Sequence, residues 1–175
     1  GLVSNPPQFG ADYYVDAKGN DPNGDPVNGS ILGTRELPSH RHDKGRLHLA
    51  AVLNYWMARS GFSHSDLSNI ADWALDEQGW LISSQISHIR NAHVRNAGFR
   101  NLEALGEANR AIWSWQVEGE SMCRKRFGPP RYGVTAETLN SANWLHHPDN
   151  DAQPLDFASF CQIAIGRLVG ETVNE

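Results

Sequence analysis

The sequence predicts an all-α protein, because apolar residues recur at helical spacing along most of the chain and no segment alternates as a half-buried strand does. Glycine and proline, which interrupt helices, concentrate in the first 45 residues and at Gly128-Pro129-Pro130. With 175 residues, of which 39% are hydrophobic, the chain matches one domain that forms a core without disulfides or metal.

The first 45 residues predict an irregular arm. They contain seven glycines and five prolines, and asparagine and aspartate cluster between residues 20 and 25. A residue before proline is biased away from the helical region, and Asn-Gly and Gly-Asp pairs favour turns. We therefore expect the helical body to begin at residue 46.

Six helices are predicted after this arm, each from an apolar stripe bounded by a capping or breaking residue. They run from residue 46 to Gly61, from Ser63 or Ser65 to Gly79, from Ser83 through Ile89, from Phe99 through Trp113, from Thr135 through Leu139, and from Phe157 through Leu168. Residues 143–153 predict a loop.

The number of cysteines and the hydropathy of the chain bear on where the protein is located in the cell. Cys123 and Cys161 are too few for a disulfide framework or a thiolate-rich zinc site, so we expect two reduced, buried thiols. No apolar run approaches the ~20 residues of a membrane span, and no basic-then-apolar segment typical of a signal peptide is found. We expect a soluble, cytoplasmic protein with no membrane contact.

Positive charge is concentrated although the net charge is −5. The first basic window, from Leu81 to Leu102, contains three arginines and two histidines and no carboxylate. The second, from Ser121 to Ala136, contains four basic residues and again no carboxylate: Arg124, Lys125, Arg126 and Arg131. An acidic protein with locally basic surfaces is compatible with a polyanionic partner.

The most specific pattern lies in the first window. It reads Ser83-Ser84-Gln85-Ile86-Ser87-His88-Ile89-Arg90-Asn91-Ala92 and is followed by apolar residues at Phe99, Leu102, Leu105 and Ala108. This sequence segment resembles the second half of the Cro/C1-type (XRE-like) helix-turn-helix motif, and the resemblance to that family covers about residues 46–113. The connector at residues 76–82 is longer than the family's, and Ala92 stands where the family usually has glycine. The resemblance implies a helix-turn-helix bundle whose third helix, about residues 84–91, lies in the DNA major groove.

The residue types in this helix suit that role. If Ile86 and Ile89 face the core, hydrogen-bonding side chains point outward, and such side chains read base edges. The expected base contacts are Ser84, Gln85, Ser87 and His88. Phosphate contacts, which position the protein, are expected from Ser83, Arg90, Arg95 and Arg100.

The second window has two open interpretations. Arg124, Lys125, Arg126 and Arg131 form a possible second basic patch that contacts phosphate or a minor groove. Alternatively, the segment is a surface loop held down by Phe127 and Tyr132.

These observations predict three parts: an arm at 1–45, an XRE-like domain at 46–119, and a basic loop with a small helical extension at 120–175. We expect a transcriptional regulator that binds double-stranded DNA as a homodimer, is not an enzyme and needs no cofactor. The alternative is a protein–protein adaptor on the same scaffold. A metal-dependent enzyme is a further rival, but the histidine clusters lack the spacing of an H-E-x-x-H zinc site.

Overall fold

A computed structural model of the chain describes residues 36–93 and 97–172. The fold is mostly helical, as predicted. Its elements are α1 (Glu36–Ser60), α2 (His64–Leu75), α3 (Ser83–Arg90), α4 (Phe99–Trp113), a π-helical turn (Ser114–Glu118), α5 (Glu120–Phe127), α6 (Ala136–Ser141), β1 (His146–His147), β2 (Asn150–Pro154) and α7 (Phe157–Ala164). Within the described part of the chain, no helix is long and apolar enough to cross a membrane.

The core is organised around α4. This helix packs against α2 on one side and α7 on the other, and α1 covers α7 and α3. The largest side chains that are fully buried include Trp56 of α1, Trp73 of α2 and Phe160 of α7. Cys123 and Cys161 are free and buried, as predicted.

The N-terminal boundary of the body differs from the prediction. Residues 1–35 of the predicted arm lie outside the described residues, and α1 begins at Glu36, well before residue 46. Pro38 falls in the first turn of α1, where its missing N–H has no helical partner in any case. Gly45 lies within α1, where any larger residue would place a Cβ on the carbonyl group of Ala164.

Side-chain caps define several helix ends. Ser63 accepts from the N–H of Asp66 and the Asp66 carboxylate accepts from the N–H of Ser63, which forms a capping box at the start of α2. Thr135 caps α6, as predicted. Asp156 caps α7.

Three helix boundaries were predicted wrongly. Helix α2 ends before Asp76, whose backbone is left-handed (φ 56°), and does not continue to Gly79. Helix α3 has Ile82, not Ser83, at its N-cap. Helix α7 ends at Ala164 because the chain turns at Gly166 with φ 79°, a conformation that glycine adopts readily.

The prediction that no strand forms was also wrong, since residues predicted as a loop form a small antiparallel hairpin. His146 is opposite Pro154 and His147 is opposite Asn150, with an irregularity between the two pairs. The hairpin is polar and mostly exposed, so the sequence has no alternation of apolar residues there.

One buried amide holds the base of this hairpin. Asn109 of α4 is fully buried, and its Nδ2 donates to the carbonyl oxygens of Leu145 (2.8 Å) and Leu155 (2.9 Å). Its Oδ1 accepts from the N–H of Leu145 at 2.8 Å. Because Leu155 immediately precedes the cap of α7, Asn109 links α4, the hairpin and the start of α7.

Replacement of Asn109 by alanine is expected to destabilise the protein by about 3 kcal/mol, since it leaves buried main-chain groups at Leu145 and Leu155 without this partner. Asn101→Ala is the matched control, because Asn101 donates a single, partly buried hydrogen bond to the carbonyl of Trp80, and we expect a loss near 1 kcal/mol. Urea unfolding measures both. Equal losses would contradict the role assigned to Asn109.

Gly106→Ala is expected to destabilise the protein by about 3 kcal/mol. A Cβ at Gly106 would overlap the backbone nitrogen of Phe157, so α4 and α7 would have to separate. Gly98→Ala is the control, since its Cβ would meet no atom within 4 Å and its φ is −72°. We expect that control to lose less than about 1 kcal/mol in the same unfolding assay. A mild effect of Gly106→Ala would show that the helices have room to move apart.

Candidate nucleic-acid interface

Helix α3 presents a polar stripe to solvent. Ile86 and Ile89 are buried against the body, and α3 packs against α1 and α2. On the opposite side, Ser84, His88 and Asn91 are exposed and Ser87 is half-buried. At 100° per residue these four side chains fall on one side of the helix. We call Ser84, Ser87, His88 and Asn91 the α3 stripe; it brings together three of the four predicted base-contact residues.

Gln85, the fourth predicted base-contact residue, lies beside the stripe and is half-buried. Its Oε1 accepts from the N–H of Ile82 at 2.9 Å, so the side chain folds back over the first turn. This contact gives Gln85 a role in fixing the start of α3.

Two of the predicted phosphate contacts belong to a network that ties three helices together. Nε of Arg90 donates to Oδ1 of Asn54 (2.6 Å), and its Nη1 lies 3.2 Å from Nε2 of His64. Nδ1 of the same histidine lies 3.0 Å from Oγ of Ser83. Because arginine only donates, Nε2 of His64 must accept, and the ring proton is on Nδ1. Arg90 and Ser83 therefore hold α3 against α1 and α2.

The end of α3 is held by a left-handed residue. Ala92 has φ 56° at the position where the resemblance expects glycine. Its carbonyl accepts from Nη1 of Arg46 at 2.8 Å, and the N–H of His93 bonds back to the carbonyl of His88 at 2.9 Å. The rings of His88 and His93 come within 6.2 Å, so two imidazoles share this end of the stripe.

The remaining predicted phosphate contacts are Arg100 and Arg95. The Arg100 guanidinium carbon lies 4.2 Å from the centre of the Trp80 ring, and the residue is exposed. A cation over an aromatic face is held in place without losing its charge. Arg95 lies outside the described residues.

Of the three carboxylates that precede this surface, Asp72 and Asp76 are engaged, whereas Glu77 is exposed. Residues 78–102 contain none. Asp72 is buried and accepts from the N–H of Gly79, and burial raises the pKa of its carboxyl group. Asp76 forms an ion pair with Arg131 at 3.0 Å. The segment that leads into α3 therefore carries less unpaired negative charge than its sequence indicates.

The second basic window is half helix and half loop: Arg124, Lys125 and Arg126 lie on α5, and Arg131 lies in the loop that follows. Phe127 and Tyr132 pack against the core, as the surface-loop interpretation predicted. The three arginines of the window are paired. Arg124 contacts Glu120 (2.9 Å), Arg131 contacts Asp76, and Arg126 contacts Glu118 with two bonds of 2.6 and 2.7 Å. The hydrogen bonds from Arg126 and then from Ser114 lower the pKa of Glu118. Lys125 is exposed. The positive charge of this window is thus mostly compensated locally.

A family model matches most of the chain. It is described as a domain of unknown function, DUF8644, and it matches residues 39–166. The chain belongs to the DUF8644 family. The match begins within α1 and ends just after α7, so the DUF8644 domain includes both α3 and the core that supports it. No curated protein and no solved structure matches the chain.

Three residues at or beside the α3 stripe were not among the predicted contact residues. Asn91 continues the spacing of Ser84, Ser87 and His88 and was identifiable from helical periodicity. The sequence pattern did not identify Arg46 and His64, because their partners are distant in the chain. Arg46 contacts Ala92, and His64 contacts Ser83.

Residues 36–93 and 97–172 contain no group of three His, Cys, Asp or Glu side chains that could hold a metal ion. His146 instead faces Glu171, and His48 accepts from the N–H of Gly170 at 2.7 Å. Burial raises the pKa of both cysteine thiols.

Ala92→Gly is expected to stabilise the DUF8644 domain by about 1 kcal/mol, because glycine adopts a left-handed backbone without the steric cost of a Cβ. Ala58→Gly, at an exposed helical position in α1, is the control and is expected to cost about 1 kcal/mol. Thermal unfolding distinguishes them by opposite shifts of the midpoint. Shifts in the same direction would refute the left-handed assignment.

Proposed function

We propose that this DUF8644 protein is a sequence-specific transcriptional regulator that reads the major groove of double-stranded DNA with α3. The observation that carries the proposal is the α3 stripe, a row of four hydrogen-bonding side chains, three of them exposed and one half-buried, within a 25-residue region, 78–102, that contains no carboxylate. Hydroxyl, imidazole and amide groups pair with base edges, and the lack of negative charge permits close approach to phosphates.

In this proposal the residues around the stripe have separate roles. Arg100, held on Trp80, contacts phosphate, and so does Arg95. Ser83 and Arg90 act mainly by holding the helix through His64 and Asn54. Base contacts are assigned to Ser84, Ser87, His88 and Asn91, with Gln85 fixing the start of the helix.

The proposed architecture is an XRE-like helix-turn-helix in which α2 and α3 are the paired helices. Packing of α3 on α2 and α1 supports this arrangement, and residues 76–82 form the longer connector. We propose that the protein acts in the cytoplasm. We also propose that it binds two half-sites as a homodimer, because pairing two modest contacts raises the overall affinity.

A protein–protein adaptor is the second candidate. A groove of about 400 Å³ between α1 and the segment after α7 is lined in part by Leu47 and Val169, which are 58% and 56% exposed. Exposed apolar residues that line a groove are typical of contacts with other proteins. The paired arginines of the second window also favour this candidate over an extended DNA surface.

Selection from random-sequence duplex DNA, with sequencing and repeated at two salt concentrations, tests the proposal. We expect enrichment of a sequence motif. Exchange of His88 for alanine should cost about 1 kcal/mol, or about fivefold in affinity, and relax one position of the motif. Arg100→Ala should weaken all duplexes alike and reduce the salt slope by about 1.

Lys125→Ala removes an exposed cation from α5, outside the α3 surface, and is expected to leave binding unchanged. No enrichment and no salt-sensitive retention would overturn the proposal, and a search for a protein partner of the Leu47 groove would follow. If the lysine exchange weakens binding as much as the arginine exchange does, the DNA surface includes the second window.

A further inference from the structure

The start of α3 lacks the side-chain cap that three other helices of this fold have. Helices α2, α6 and α7 begin after Ser63, Thr135 and Asp156, whose side chains accept main-chain N–H groups. Ile82 occupies the same position before α3 and makes no side-chain cap hydrogen bond. Serine, threonine, aspartate and asparagine all stabilise a helix at this position, and isoleucine does not.

Ile82 also exposes its side chain, which is 47% accessible. The residue before it, Leu81, is fully buried, and the backbone N–H of Ile82 is held by Oε1 of Gln85. These contacts fix the aliphatic side chain at the N-terminal end of α3, beside the exposed residues Ser83 and Ser84. The Ile82 side chain therefore supplies neither a cap nor a fully buried group, and such departures from local preference concentrate at functional sites.

We infer that Ile82 contacts the 5-methyl group of a thymine, an inference that rests on the proposed function. The N-terminal residues of a recognition helix reach base edges, and thymine alone of the four bases presents a methyl group in the major groove. An aliphatic side chain at this point discriminates thymine by apolar contact, whereas Ser84 beside it supplies hydrogen bonds.

The experiment replaces each thymine of the selected duplex, one at a time, by deoxyuridine, which lacks only the methyl group. Wild-type protein should bind one substituted duplex about fourfold more weakly, the equivalent of one methyl group at ~0.8 kcal/mol. Ile82→Ser should bind the two duplexes equally. Ile82→Val, which keeps an aliphatic surface, should retain the preference for thymine.

Thermal unfolding separates this effect from misfolding, because Ile82→Ser introduces a cap and should raise the unfolding midpoint. If wild-type protein binds the selected duplex but ignores every deoxyuridine, the inference is overturned and the proposed function stands. Equal sensitivity of wild type and Ile82→Ser assigns the methyl contact to another residue and also overturns it. If no duplex is selected at all, both fail together.

Discussion

The buried amide of Asn109 is the interaction on which the rest of the structure depends. A helix, a hairpin and the start of another helix meet at this residue, and the polar main chain of the hairpin base is satisfied there away from water. An apolar side chain of similar size would fill the space but would leave those groups unpaired. The hairpin needs this support, since two short strands with a polar face are not stable by themselves.

The position of α3 depends on this support through two close helix contacts. In each contact one helix presents a glycine, which has no side chain. Gly106 lets α4 approach the start of α7, and Gly45 lets α1 approach its end. Helix α1 then holds α3 through Asn54 and Arg46. Backbone-to-backbone contacts of this kind leave little freedom for sliding, because no flexible side chain lies between the helices.

Apolar spacing and capping residues were sufficient to predict the helices that bury an apolar stripe. Ile86 and Ile89 gave the inward face of α3, and Ser63 and Thr135 marked helix starts. The hairpin was not predictable in this way, because its strands are polar and its partner, Asn109, lies 36 residues from Leu145. The helix α5 in the first half of the predicted basic loop was also missed. Two of the arginines in this window pair with Glu118 and Asp76, and only the fold brings those partners close. The candidate surface was foreseen as a segment, whereas the use of Gln85 and Arg90 in holding it was not.

The separation between the α3 stripe and the core has an evolutionary consequence. Ser84, His88 and Asn91 are exposed, and the two buried isoleucines of α3 point the other way. Exchange at the exposed positions creates no cavity and removes no core contact, so its effect on stability is small. The exposed surface of α3 can therefore vary in sequence while the body that supports it stays the same.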